Sequence, residues 1–156
     1  MVGRYKANTP ELEANAFAAE LLMPRTLFRG RVGAAVPSQA LIKDLAEHFG
    51  TTLSATVVRF VEVEDEACAF VVTENGRVRW WKANDRFDGY WLDPDSEVSP
   101  HTVAGAYLSG ESFPDEAEQV DGEAWLGGRA RRVAESLYEV AIPLGRYGVV
   151  SIVWPA

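Results

Sequence analysis

The sequence predicts an α+β protein: an N-terminal helical segment closing on a helix-turn-helix-like pair, then a domain built on an antiparallel sheet. Three observations predict it. Apolar residues recur at helical spacing in three runs between residues 10 and 63. Asn75-Gly76, a dipeptide whose residues both accept positive φ, separates two strand-like runs. The last third of the chain holds further β-branched and aromatic runs broken by glycines. The acidic stretch Glu62-Val63-Glu64-Asp65-Glu66 marks the boundary, giving a helical part over 1–65 and a sheet domain over 66–156.

Thr9-Pro10 opens the first helix, with threonine as cap and proline tolerated at the first helical position. Glu11 and Glu13 suit the positive end of its dipole. Leu12, Ala14, Phe17, Ala18, Leu21 and Leu22 form one apolar face, and Pro24 ends the run. Arg25 to Arg29 forms a short second turn. Ser38 caps a helix from Gln39 to Phe49, Gly50 supplies the turn, and Thr52 caps a helix reaching about Val63. Ala46, Gly50 and Thr56 stand where a helix-turn-helix wants a small residue, a turn glycine and a β-branched packing residue.

In the sheet domain, strands are expected at Ala67–Thr73 and Arg77–Lys82 around Asn75-Gly76. A helix opens at Ser99-Pro100 and stops at Gly110. Strands follow at about Glu116–Leu126, Arg132–Leu144 and Tyr147–Trp154, with a turn at Gly127-Gly128.

Composition narrows the function classes. The chain has 156 residues, a net charge of -8 and 47% hydrophobic residues, which are globular values. That charge disfavours phosphate binding by the whole surface, so nucleic acid is not the expected partner. Cys68 is the one cysteine, so no internal disulfide forms; its apolar setting suggests a core thiol. No run approaches the roughly 18 apolar residues of a membrane span. A soluble, cytoplasmic protein is the expectation, with no membrane partner.

The string Glu11-Leu12-Glu13-Ala14-Asn15-Ala16-Phe17-Ala18-Ala19-Glu20-Leu21-Leu22-Met23-Pro24 resembles the ImmA/IrrE family of metallopeptidase-like regulators. There, a segment of the form Glu-x-x-Ala-Asn-x-Phe-Ala-x-x-Leu-Leu-Met-Pro follows a zinc-binding His-Glu-x-x-His helix. The resemblance places Glu11 at the third-ligand position and Asn15, one turn on, at the position that orients it. It also implies a zinc-dependent peptidase that cleaves a helix-turn-helix repressor, a partner for this chain too. The chain departs from the pattern: its histidines are His48 and His101, and no His-Glu-x-x-His occurs. A lone glutamate cannot hold zinc. The expectation is a C-terminal regulatory portion without catalytic residues or cofactor, zinc belonging to a longer form with the missing helix. An uncovered first helix would pair two copies through Phe17, Leu21 and their neighbours.

The helix pair resembles the segment that follows the peptidase part in the same family. Were its second helix to meet DNA, Lys43 and Arg59 would be the cations, with Ser54, Ala55, Val58 and Arg59 facing outward. Asp44 and Glu47 offset that charge, so a structural helix pair competes with a DNA reader. The order of hairpin, helix and three antiparallel strands is similar to PAS/GAF-like sensor domains. Val78, Trp80 and Lys82 alternate with Arg77, Arg79 and Trp81, giving one apolar and one basic, aromatic face. Trp80, Trp81, Tyr90, Trp91, Trp125 and Trp154 are many large aromatics for so small a module. Core packing is one reading; a small-ligand or peptide site using Trp80, Trp81, Arg77 and Arg79, with Arg86 a further anion partner, is the other.

Overall fold

The computed structural model describes residues 9–112 and 114–156. Four helices come first: α1 (Thr9–Leu22), α2 (Arg25–Val32), α3 (Gln39–Phe49) and α4 (Leu53–Val63). The expected cap at Thr9 and the side chain of Leu12 lie outside the described side chains. The other starts follow local chemistry. The Ser38 hydroxyl accepts the Leu41 amide and the Thr52 hydroxyl accepts the Ala55 amide, both at 3.1 Å.

Five antiparallel strands follow: β1 (Ala69–Glu74), β2 (Arg77–Ala83), β3 (Glu118–Asp121), β4 (Ser136–Pro143) and β5 (Val149–Pro155), in the order β2-β1-β5-β4-β3. Asn75 and Gly76 take φ of 52° and 72°, the turn that lets β1 and β2 pair tightly.

Three elements are shorter than expected. Helix α5 (Val103–Leu108) starts after Ser99-Pro100, because Thr102 is the residue whose hydroxyl caps it, accepting the Gly105 amide at 2.9 Å. Strand β3 stops at Asp121, where a 3₁₀ turn swings Trp125 back under the sheet. Strand β4 begins at Ser136: the amides of Arg131 and Arg132 donate to the Gly89 carbonyl instead of a strand ladder.

The sheet is buried on both faces. One face packs Phe70, Val140, Ile142, Val150 and Ile152 against Phe28, Ile42, Leu45, Val57 and Phe60 of α2, α3 and α4. This core runs across Glu66, so the helical part and the sheet share apolar side chains. The other face packs Val71, Val78, Trp81, Leu137 and Val153 against Phe87, Leu92, Val103, Ala104 and Trp125. Among the described residues, no helix is long and apolar enough to cross a membrane.

Candidate functional site

Helix α1 carries Glu11 and Asn15 one turn apart, with Asn15 exposed and Glu11 half-buried. No group of three or more His, Cys, Asp or Glu side chains placed to hold a metal occurs among the described residues. His48 sits at the end of α3 with its ring edge-on to Phe49, and His101 is exposed in the turn before α5. The donor set at Glu11, a carboxylate with an amide one turn on, does not fit a zinc ion, which takes four ligands and favours imidazole or thiolate among them.

The expected apolar face of α1 is exposed at Ala14, Phe17, Ala18, Leu21 and Leu22. Met23, at its end, is buried beside α4, with the Thr51 hydroxyl 3.7 Å from its sulfur. Phe17, Leu21 and Leu22 are 70%, 68% and 56% exposed. What holds α1 down is polar. Arg59 of α4 donates from Nε to the Met23 carbonyl at 2.9 Å, and its guanidinium also meets the Glu20 carboxylate. Glu20 in turn accepts the Arg25 amide at 3.0 Å. That amide first, then Arg59, holds the Glu20 carboxyl below its ordinary range.

This placement corrects the expected outward face of α4. Ser54 is exposed and Ala55 and Val58 are half-buried, but Arg59 is buried, turned inward by its carbonyl and carboxylate partners. Lys43, on α3, reaches Gln39 Oε1 at 3.3 Å. Lys43 and Arg59 therefore do not converge on one outward face. Neighbouring cations are also engaged: Arg29 pairs with Asp65, Arg31 grips Asp44 with two bonds of 3.1 and 3.0 Å, and Lys82 meets Glu62 at 2.7 Å.

The expected face on β2 is corrected too. The pairing of β1 with β2 slips between Val72 and Thr73: Val72 opposes Trp80 and Thr73 opposes Val78, leaving Arg79 unmatched as a bulge. The bulge breaks the alternation, so Val78 and Trp81 share one face while Trp80 lies on the other. Trp80 meets the Phe70 ring edge-on at 4.9 Å within the helix-side core. Trp81 is buried in the opposite core, edge-on to Trp91 at 5.3 Å. Arg77 bonds the Asp95 carbonyl and faces Glu97, Arg79 pairs with Glu74 at 3.3 Å, and Arg86 is exposed. The four residues form no common site.

Two features went unread in the sequence. Glu139, on β4, is fully buried. Its carboxylate accepts the Val103 and Ala104 amides at 2.8 and 3.0 Å, the Trp125 indole at 2.9 Å and the Ser151 hydroxyl at 2.8 Å. Burial pushes this carboxyl up, against the downward pull of those four bonds. Its position two residues from Leu137 and from Ala141 was the available signal: strand alternation puts it on an apolar face. The second feature is a cleft of about 440 Å³ beside Trp81, lined by Phe87, Tyr90, Trp91, Arg129 and Arg131 among others. Trp91 and Tyr90 were legible as surplus aromatics; Arg129 and Arg131 carried no signal, being expected only near a turn and a strand start.

Residues 3–61 match the family model described as the IrrE N-terminal-like domain of the M78 peptidases, which supports an ImmA/IrrE-type family. The match takes in α1 to α3 and most of α4 and leaves the sheet outside it. No curated protein matches the chain.

Proposed function

We propose that this chain, headed by an IrrE N-terminal-like domain, is the regulatory rather than the hydrolytic part of an ImmA/IrrE-type protein. As it stands it does not cleave peptides; in a longer form bearing a His-Glu-x-x-His helix, Glu11 would become a zinc ligand oriented by Asn15. The family would then direct that form against a helix-turn-helix repressor. One observation carries this reading. Helix α1 is clamped at its C-terminal end through Glu20 and Met23, yet its apolar face at Phe17, Leu21 and Leu22 is open. Such a face fits a partner helix better than solvent.

The test is the coding sequence upstream of Met1, followed by assay of the form it encodes. An in-frame His-Glu-x-x-His predicts that the extended form binds zinc and cleaves a cognate repressor. Inactivity with zinc bound would overturn the reading.

A second reading makes the sheet domain a non-enzymatic sensor-like binding module of PAS/GAF type. The aromatic cleft beside Trp81 favours it. A stop codon directly upstream of Met1 would favour this module as the whole function. A DNA-reading role has less support, because Arg59 is engaged within the fold.

A further inference from the structure

The cleft beside Trp81 has an aromatic floor and a charged rim that carries Arg129, Arg131, Asp85 and Asp88. Trp81 and Trp91 meet edge to face at 5.3 Å, and the Phe87 and Tyr90 rings lie 4.8 Å apart. Two loops form the walls, and the backbone stitches them together. The Arg131 and Arg132 amides donate to the Gly89 carbonyl at 2.6 and 2.8 Å, and the Gly127 amide donates to the Trp91 carbonyl at 2.8 Å. A Cβ at position 127 would press on the Asp93 carboxylate and push it aside. The Trp91 indole is steered by that same carboxylate, donating to Asp93 Oδ1 at 3.0 Å.

The rim sets the charge of what would fit. Arg129 lines the cleft, and its side chain has no hydrogen bond or ion pair among the described residues. Arg131 reaches Asp88 only at 3.9 Å, with both side chains more than four-fifths exposed. The place over the Tyr90 ring, where a ligand cation would be attracted, is taken by Arg132 at 5.8 Å. Asp85 and Asp88 also border the cleft, so a cation has acceptors there, but Asp88 already faces Arg131. Two guanidiniums, Arg129 and Arg131, thus stand against one unshared carboxylate, Asp85, among the described lining residues.

We propose that this cleft binds a small planar aromatic carboxylate. Its ring would lie against the Trp81–Trp91 floor, and its carboxylate would pair with Arg129 and Arg131. The inference rests on the binding-module reading of the sheet domain and adds to it the place and the ligand class.

The test uses the whole chain and three probes: naphthoate, the neutral naphthalenemethanol and the cationic naphthylmethylammonium. Binding is read from the indole N–H resonances. Naphthoate is expected to shift the Trp91 and Trp81 signals saturably and to bind more tightly than the other two. The exposed double substitution Arg129→Ala, Arg131→Ala is expected to weaken naphthoate about tenfold or more, as loss of a bidentate charged contact does, and to leave naphthalenemethanol within about twofold. If all three probes bind at Trp91 with equal affinity, before and after that substitution, the cleft is a binding site and the carboxylate assignment is wrong. If no probe perturbs these indoles, the binding-module reading falls with it.

Discussion

Arg59 on α4 holds Glu20 on α1: its guanidinium meets the Glu20 carboxylate while its Nε donates to the Met23 carbonyl at 2.9 Å. The helix that leaves Phe17 and Leu21 exposed is thus anchored by charge. Replacing Arg59 with alanine strips the Met23 carbonyl of its donor, a loss expected to cost about 1–3 kcal/mol. Urea denaturation checks this; an unchanged midpoint contradicts the clamp.

The clamp has a pH signature. Glu20 has its folded carboxyl held below the ordinary value by the Arg25 amide and by Arg59. Its contribution is therefore present above the ordinary glutamate value and lost as pH falls through the lowered folded value. Glu20→Gln is expected to flatten the acid limb of the stability curve and to change little at neutral pH.

Glu139 has the opposite sign. Its folded carboxyl is raised by burial, so its contribution is full below the ordinary glutamate value and declines as pH rises through the raised one. Glu139→Gln removes that decline. It also places an amide N–H₂ among four donors, with an expected loss of about 1–3 kcal/mol from groups left unpaired. Thermal melts across pH read both effects. A Glu139→Gln protein as stable as the parent at neutral pH would show that these four bonds, two of them from α5, do not hold the sheet's surroundings in place.

Cys68 is buried, and desolvation first, with Glu64 nearby, pushes its thiol up to about 12. Thiolate is the reactive form, so Cys68 is expected to resist alkylation in the folded protein and to react at once in denaturant. Rapid labelling under native conditions would show that the strand start at Ala69 opens freely.

The local parts of this fold were legible because their causes are local. Ser38, Thr52 and Asn75-Gly76 act on amides or dihedrals within three residues, and each does what the sequence predicts. The string ending at Met23-Pro24 likewise marked the end of α1 and lies within the residues that match the IrrE N-terminal-like model. What failed depends on distant partners. Arg59 turns inward because the Met23 carbonyl, 36 residues earlier, awaits it. Trp80 and Trp81 go to opposite cores, and Val78 joins Trp81, because the slip opposite Val72 and Thr73 is a property of the pair of strands and not of β2 alone. Glu139 stood at an inward position, but its donors come from α5, Trp125 and β5.

The open face of α1 predicts self-association. Phe17 and Leu21 are each more than two-thirds exposed on one helix. Light scattering is expected to show a concentration-dependent dimer that Phe17→Glu with Leu21→Glu abolishes. A monomer at every concentration would contradict it.

Zinc titration by calorimetry addresses the proposed role most directly. The account predicts no stoichiometric binding by this chain, and the same trace from Glu11→Gln. Tight one-to-one binding that Glu11→Gln abolishes would contradict it and return the chain to the metallopeptidases in full.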